Sequence, residues 1–261
     1  EYNFQDAGSS PYQFQNNSTN FNPAISNADG ANRRLENINQ INLQTVIIVT
    51  NPNNPEDCDN PFSEVGLDSN GIRACENGGA NWRVPGDGND FANSSGKGWF
   101  NGSTNTVIDP AHNNLPNIFI VESNVLKNIK NGIELGDTKN SRFWHGEILE
   151  VIGFDRQLTA TERQQIETYL AIKYGITIDQ SVPKNLIASD GITTIWDATA
   201  NSGFNNDIAG IGYDTLTALN QKQSKSINDD AIVTIGLSQI MADNLANTGT
   251  FITDKGFILW G

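Results

Sequence analysis

The sequence has few basic residues and no long apolar run. Lys and Arg together number 16 against 30 Asp and Glu, which gives a net charge of −14. A field of that sign repels phosphate backbones and anionic lipid headgroups. No stretch approaches the ~18 apolar residues of a membrane-spanning helix. We therefore expect neither nucleic acid nor direct membrane insertion among the interactions of this chain.

Hydrophobic residues are also scarce, at 37% of the chain, and neutral polar residues replace them, with 36 asparagines. Asn, Gly, Ser, Thr and Asp favour turns over helix interiors. Between turn clusters lie short runs rich in β-branched or aromatic residues, at positions 45–50, 117–122, 147–154, 193–196, 231–237 and 257–260. This pattern predicts an all-β sandwich or barrel without long helices.

One short helix is predicted by signals at both of its ends. Thr159 to Glu162 form a capping box, in which the Thr side chain and the Glu side chain each bind a free amide of the first turn. Gly175 supplies the stop signal. One stripe of this helix should pack on the sandwich: Ile166, Tyr169, Leu170 and Lys173. The opposite side should face water: Arg163, Gln164 and Glu167.

Cys58 and Cys75 are the only two cysteines, and they lie in a polar segment without apolar periodicity. A disulfide between them would close a loop and imply an oxidising location. The alternative is two unpaired thiols. Two cysteines cannot form a four-ligand zinc site alone, and His112 and His145 lack the spacing to complete one.

The length of 261 residues allows two modules. The segment 181–184, Ser-Val-Pro-Lys, is typical of a linker, and the density of Asn falls before it. We therefore place a boundary after Ile178, with modules at 1–178 and 179–261. Residues 1–5 are no signal peptide, and 257–261 end in an apolar, strand-like run. We expect this sequence to be part of a longer polypeptide, with the second module truncated.

Four segments carry a resemblance to a known group of proteins. The run 143–159, FWHGEILEVIGFDRQLT, resembles the closing strand of laminin-G-like, concanavalin-type domains. The run 162–177, ERQQIETYLAIKYGIT, is similar to the ending of many Bacteroidetes surface proteins. Positions 20–25, NFNPAI, resemble an early strand of such domains, and positions 195–197 with 205–212 resemble the module that commonly follows.

The resemblance implies a concanavalin A-like jelly roll with one packing helix, followed by part of a second β-rich module. It also implies a large adhesin-like protein at the cell surface, of the gliding-adhesin type, exported by the type IX pathway. Two departures stand out. The first strand of the jelly roll is missing, and positions 51–98 resemble a long insertion that carries the cysteines.

Concanavalin-type folds also include glycoside hydrolases, whose retaining members hold two carboxylates about 5–5.5 Å apart. Glu147 and Glu150 invite this comparison. In a regular strand, residues three apart point to opposite faces, and Glu150 would share a face with Ile148, Ile152 and Phe154. We therefore expect a structural role for Glu150, bound to backbone amides or a cation, and no catalytic residue.

Hard oxygen ligands cluster on two predicted turns. One turn contains Asp57 and Asp59, and the other contains Asp87, Asn89 and Asp90. Carboxylate and amide oxygens on turns suit Ca²⁺, although neither segment matches an EF-hand loop. The alternative is an ordinary solvated acidic loop at each place.

Aromatic residues near Gly and Asn form the usual platform for a sugar, and Trp82, Trp99 and Phe100 lie in predicted loops of that kind. Each could equally fill the core. Asp214-Thr215-Leu216 resembles the short O-glycosylation motif of Bacteroidetes, in which Thr215 would carry the glycan.

Three functional hypotheses follow. The first is a non-enzymatic adhesive or structural module outside the cell, whose partners are surface glycans and the secretion or anchoring machinery. The second is a secreted polysaccharide-active enzyme of concanavalin-type fold, which would bring two carboxylates together in a cleft. The third is a passive spacer or export cargo without a ligand.

Overall fold

The computed structural model describes residues 3–27, 29–56, 58–67, 69–76, 81–84, 86, 88–107, 114–136 and 142–261. Three residues from the sequence predictions, Asp57, Asp87 and His112, lie outside the described residues.

The described residues form strands and one helix. The strands of the sandwich are β1 (Gln5–Asp6), β2 (Gln13–Thr19), β3 (Asn22–Asn27), β4 (Leu35–Asn37), β5 (Ile41–Pro52), β6 (Asp59–Glu64), β7 (Ile72–Glu76), β8 (Asn81–Trp82), β9 (Lys97–Phe100), β10 (Asn117–Ile129), β11 (Ile133–Leu135) and β12 (Gly146–Phe154). The helix α1 (Ala160–Tyr174) follows. The remaining strands are β13 (Leu186–Ile187), β14 (Thr194–Trp196), β15 (Ala209–Asp214), β16 (Leu219–Gln221), β17 (Gln223–Lys225), β18 (Thr234–Gly236) and β19 (Gly256–Trp260).

The strands before the helix form two antiparallel sheets. The front sheet has the order β1-β4-β11-β6-β7-β8, and the back sheet has the order β2-β3-β12-β5-β10-β9. An inner core fills the space between them, with its largest side chains from Phe62, Trp82, Phe91, Phe119 and Trp144. The predicted all-β sandwich is confirmed. The segment 51–98 supplies β6, β7 and β8, so it builds half of the front sheet.

The central strand β5 explains the apolar run at 45–50. Val46 and Ile48 belong to the inner core, whereas Ile47 and Val49 belong to a second cluster on the other side of the back sheet, the outer core. Successive residues of a strand point to opposite faces, so a strand that is buried on both sides reads as a continuous apolar run. The back sheet is therefore a middle layer.

The helix α1 forms much of the layer that covers the back sheet. Its capping box is present, with the Thr159 side chain accepting from the Glu162 amide and the Glu162 side chain accepting from Thr159. Gly175 ends it in the left-handed conformation, with φ 67°. Both predicted ends are confirmed. One detail of the predicted faces is wrong, because Glu167 is only 3% exposed and not in water.

The residues after the helix share the outer core with the back sheet. Leu186, Trp196, Ala198 and Ile208 pack in one apolar cluster with Ile47, Val49, Ile118 and Ile120. Here β15 pairs with β16 and β19, while β13 pairs with β14 and β17 with β18. The strands predicted at 193–196 and 257–260 are present, but only 234–236 of the run 231–237 is a strand. The boundary after Ile178 stays a prediction.

Candidate functional site

Cys58 and Cys75 form the predicted disulfide. It joins the residue that precedes β6 to a residue of β7, and these two strands are antiparallel neighbours in the front sheet. The amide of Cys58 donates to the carbonyl of Ala74 at 2.6 Å, so the two chains are already aligned where the sulfurs meet. The disulfide thus reinforces the pairing of β6 with β7.

The described acidic side chains of the two predicted calcium loops are engaged with protein groups. Asp59 Oδ2 lies 2.6 Å from His145 Nδ1, and burial raises the pKa of Asp59. Asp90 is buried between Arg73 and Arg83, with N–O distances of 3.3 and 2.6 Å. Asn89 is exposed. Within the described ranges no three His, Cys, Asp or Glu side chains are grouped to hold a metal. Calcium binding stays a prediction.

Trp82 fills the inner core. Its side chain is 1% exposed, and its ring stacks on Phe119 at 4.5 Å and on Trp144 at 5.8 Å between centroids. Trp82 lies in β8 and not in a loop. The prediction of Trp82 as a surface ligand contact is therefore wrong, because its ring faces the interior of the sandwich.

Trp99 and Phe100 are neighbours on β9 and point to opposite faces of the back sheet. Trp99 packs against the outer core, and the guanidinium of Arg163 lies 4.1 Å from its ring centroid. Such a cation over an indole ring is favourable. Phe100 packs against the inner core and also lines a surface cleft. Both residues lie in a strand and not in the predicted loop.

This cleft, named here the Phe100 cleft, has a volume of about 470 Å³. It opens where β9 leaves the sandwich, where β10 begins and where the chain continues beyond α1. Its described lining combines apolar side chains, neutral polar side chains and one carboxylate: Phe100, Asn101, Ser103, Asn105, Val107, Leu115, Pro116, Asn117, Ile176, Thr177, Asp179, Ser181, Ile227 and Asn228.

The tight turn after Phe100 shapes one wall of the Phe100 cleft. Asn101 and Gly102 both have positive φ, at 45° and 80°, which Asn and Gly tolerate best. Asn101 Oδ1 accepts from the Ile118 amide at 2.8 Å, and the Asn101 carbonyl accepts from the Asp179 amide at 2.7 Å. The turn is thus held between β10 and the segment after α1.

Two polar atoms buried in the lining have no hydrogen-bond partner among the described residues, Asn117 Nδ2 and Thr177 Oγ1. Asn117 itself is 1% exposed, and its Oδ1 accepts from Thr50 Oγ1 at 3.2 Å. A buried polar atom without a partner costs about 1–3 kcal/mol. Neither atom is exposed to the cleft, so the cost is part of the folded structure.

Among the described residues of the lining, Asp179 is the charged one. Partial burial raises its pKa, but hydrogen bonds from Ser181 and Ser103 outweigh this, so the pKa lies below its ordinary value. Ser181 donates from its amide at 3.0 Å and from Oγ at 3.1 Å. Asp179 is therefore a carboxylate at neutral pH.

Sequence reasoning identified Phe100 but missed the rest of the cleft. Asn101 to Asn105 and Leu115 to Asn117 carry a weak signal, since both are Asn-rich turns next to strands. Thr177 and Asp179 carry none, because tertiary packing alone brings the end of α1 beside β9 and β10.

Glu147 and Glu150 lie on the same face of β12, contrary to the regular-strand expectation. The register with β5 shifts between Ile148 and Glu150, so Leu149 is an extra, bulged residue. Ile148 packs in the inner core, whereas Glu150 lies on the opposite face of the sheet and contacts α1.

The Glu150 carboxylate is bound by three side chains of α1. The Tyr169 hydroxyl, the Lys173 ammonium and the Tyr174 hydroxyl donate to it at 2.8, 2.9 and 2.9 Å. Burial and the neighbouring carboxylate raise the pKa of both tyrosines. Glu150 therefore anchors the helix on the sheet through three side chains, one of them the cationic Lys173, rather than through backbone amides.

Thr215 lies on the exposed turn between β15 and β16. Its hydroxyl and its amide both donate to Asp254 Oδ1 at 2.8 Å. Nothing in this geometry tests glycosylation, which stays a prediction.

Comparison with known proteins gives one match. The model of a family described as a domain of unknown function (DUF8202) matches residues 162–261, which is less than half of the chain. No curated protein and no solved structure matches. Within the described ranges, no helix is both long and apolar enough to cross a membrane.

Proposed function

We propose that this chain is a non-enzymatic adhesive or structural module outside the cell that binds glycan in the Phe100 cleft. One observation carries this proposal. An aromatic ring and aliphatic side chains lie beside side-chain amides and hydroxyls in the lining of one cleft.

Sugars have the complementary surface. The C–H face of a pyranose packs on aromatic and aliphatic groups, and its hydroxyls need hydrogen-bond partners once water is displaced. Small-ligand sites are concave and combine apolar surface with polar groups that fix the orientation of the ligand. The Phe100 cleft offers both halves of this recognition.

The extracellular part of the proposal draws support from the disulfide, because such bonds persist in oxidising compartments. The resemblance to adhesin-like proteins adds export by the type IX pathway, contact with secretion or anchoring machinery, and O-glycosylation at Thr215. Calcium at the loops around Asp59 and Asp90 is a further part of the proposal.

The first experiment is a glycan array probed with the whole chain, in calcium and in chelator, followed by hydrolysis assays on each bound glycan. Binding without turnover supports the adhesive module. Turnover overturns it in favour of a polysaccharide-active enzyme, and silence on the array favours a spacer. A signal that disappears in chelator supports the calcium sites.

A pair of blocking variants locates the site. Asn105→Trp fills the Phe100 cleft from its exposed rim and should abolish binding. Asn16→Trp is the matched control, because Asn16 is also exposed but lines a different groove, beside Phe14. Equal binding by both variants would place the glycan elsewhere.

A further inference from the structure

Four Asn-Gly pairs occur in the sequence, at positions 70–71, 77–78, 101–102 and 131–132. The pair 77–78 lies outside the described residues. Asn-Gly is prone to spontaneous deamidation, because glycine has no side chain to hinder attack by its backbone nitrogen on the preceding side-chain amide. A folded chain slows this reaction where hydrogen bonds hold the Asn side chain. The contacts of each Asn therefore decide which pair reacts.

The glycine of the last pair is required by the fold. Gly132 lies in the turn between β10 and β11 with φ 82°, a conformation that favours glycine. A Cβ atom at this position would overlap the carbonyl oxygen of Asn37. The turn therefore keeps the reactive pair, and only the contacts of Asn131 can slow the reaction.

The carboxylate of Glu64, at the end of β6, supplies those contacts. Its Oε1 accepts from the backbone amide of Asn131 at 3.1 Å and from Asn131 Nδ2 at 3.2 Å. Its Oε2 accepts from Asn70 Nδ2 at 2.8 Å and from Ser69 Oγ at 3.2 Å. Glu64 is only 4% exposed, so water competes little for these bonds. One buried carboxylate thus holds the side-chain amides of two Asn-Gly pairs.

Asn101 is held by a different element. Its backbone amide donates to the Ile118 carbonyl at 2.9 Å, and its Oδ1 accepts from the Ile118 amide at 2.8 Å. Both partners are main-chain groups of β10, so a change at Glu64 leaves these bonds in place. The pair 101–102 is therefore an internal reference for the other two.

We infer that Asn131 is a deamidation site that Glu64 restrains through its hydrogen bonds. In the reaction the Gly132 nitrogen loses its proton and bonds to Asn131 Cγ, the Cγ–Nδ2 bond breaks, and Nδ2 takes up the proton and leaves as ammonia. Water then opens the succinimide ring to aspartate or isoaspartate. Ring closure pulls Nδ2 away from Glu64 Oε1, so the bond between them must break first. The inference is independent of the proposed glycan binding.

The product would place a second carboxylate against Glu64. Asn131 Nδ2 lies 3.2 Å from Glu64 Oε1, so an aspartate oxygen in its place brings two negative charges into contact. Like charges at this distance repel, and neither carboxylate can donate a hydrogen bond to the other. Deamidation therefore releases the turn between β10 and β11 from the end of β6.

The test follows each Asn by peptide mass spectrometry while the folded chain is incubated at mildly alkaline pH, which favours loss of the glycine proton. Glu64→Gln keeps the shape but loses the charge and one acceptor. Conversion at Asn131 should accelerate about tenfold or more, because hydrogen bonds to a charged group have an effect of that order. Conversion at Asn101 should stay the same. Equal rates at Asn131 with and without the substitution overturn the inference.

Glu147→Gln is the matched control. The Oε2 atom of Glu147 also accepts from an Asn amide and a Ser hydroxyl, Asn51 Nδ2 at 3.0 Å and Ser18 Oγ at 2.5 Å. Pro52 follows this Asn, and its nitrogen carries no hydrogen, so the ring cannot form there. Glu147→Gln should leave the rate at Asn131 unchanged. An equal acceleration in both variants would indicate general loosening of the sandwich and overturn the inference.

A Glu64→Gln protein that fails to fold is recognised by Asn101, which would then react as fast as Asn131. Glu64→Asp takes its place in that event, since it keeps the charge but is too short to hold both Asn side chains, and the same two rates decide. Melting temperatures test the product. Asn131→Asp should melt below Asn131→Ala, because both lose the hydrogen bond and only Asp adds repulsion. Equal melting temperatures would overturn the release of the turn.

Discussion

The side-chain amide of Asn20 donates a 3.0 Å hydrogen bond to the hydroxyl of Ser224, 204 residues further along the chain. The same amide donates to the carbonyls of Ile172 and Lys173, at 3.2 and 3.1 Å, where α1 ends. Asn20 Oδ1 accepts from the amide of Lys225 at 2.8 Å. One buried residue in the β2–β3 turn therefore connects the sandwich, the helix and the C-terminal strands.

Asn20→Ala should lower the free energy of unfolding by about 2–4 kcal/mol, because it leaves several buried groups without partners. Asn20 also has φ 47°, which Ala tolerates poorly. Asn20→Gly is the control, since it keeps the backbone conformation and loses only the hydrogen bonds. Denaturant unfolding of the three proteins measures both effects. A loss below about 0.5 kcal/mol in both variants would contradict the connecting role.

Trp82→Ala should destabilise the protein by about 3–5 kcal/mol, the usual effect of removing a large aromatic side chain from a packed core. Its ring stacks on Phe119 and Trp144, and no solvent reaches it. The measurement is thermal or denaturant unfolding. Trp82→Phe, a milder change, should retain glycan affinity wherever the protein is folded. Lost affinity in a folded Trp82→Phe protein would restore Trp82 as a ligand residue.

Replacing Cys58 and Cys75 together by Ser should lower the free energy of unfolding by about 3 kcal/mol, the loop-closure effect for a sequence separation of 17 residues. Denaturant unfolding measures the loss. Reduction of the unaltered protein with a thiol should produce the same shift, which serves as the internal control. Equal stability of the oxidised, reduced and Ser proteins would show that the bond adds nothing to the fold.

The contribution of the α1 capping box to the stability of the protein should depend on pH. The hydrogen bonds from Arg156 and Thr159 hold the pKa of Glu162 down, to about 2. Because the folded pKa lies below the unfolded one, the charged form stabilises the fold. That contribution is fully present above the unfolded pKa of about 4.5 and is lost as the pH falls through the folded pKa. A titration of this carboxyl by NMR measures the pKa directly.

The matched comparison is the stability of Glu162→Gln against the unaltered protein across the same pH range. The difference in unfolding free energy should be largest near neutral pH and vanish toward about pH 2. Asp155→Asn, which removes an exposed charge outside the box, controls for net charge. A difference that is constant with pH would contradict the assigned role of the Glu162 charge.

The sequence was sufficient to predict those elements whose structure depends on residues close to one another in the chain. Thr159, Glu162 and Gly175 satisfy the free groups at the helix ends through residues close in the chain, so both ends could be predicted. The runs in β5, β10 and β12 are strongly β-branched, and they became the centre of the back sheet. The all-β class follows from these elements.

The sequence was insufficient to predict the orientation of side chains that depends on contacts with residues distant in the chain. The bulge at Leu149 arises from the register between β12 and β5, and it changes the face of Glu150. Glu167 is polar, yet the chain after the helix covers it beside Lys184, and burial raises its pKa. Strand pairing places Trp82 and Phe100 on the inner core and Trp99 on the outer core, so composition alone could not assign them.

The two-sided burial of the back sheet also bears on how the protein must be produced. The outer core includes four apolar residues from beyond the helix, Leu186, Trp196, Ala198 and Ile208. A polypeptide that stops at Ile178 lacks them and would expose the apolar outer face of the back sheet to solvent. Exposed apolar surface of that kind favours self-association. Shortened chains that end after the helix should accumulate as inclusion bodies, whereas the full 261 residues should stay in the supernatant.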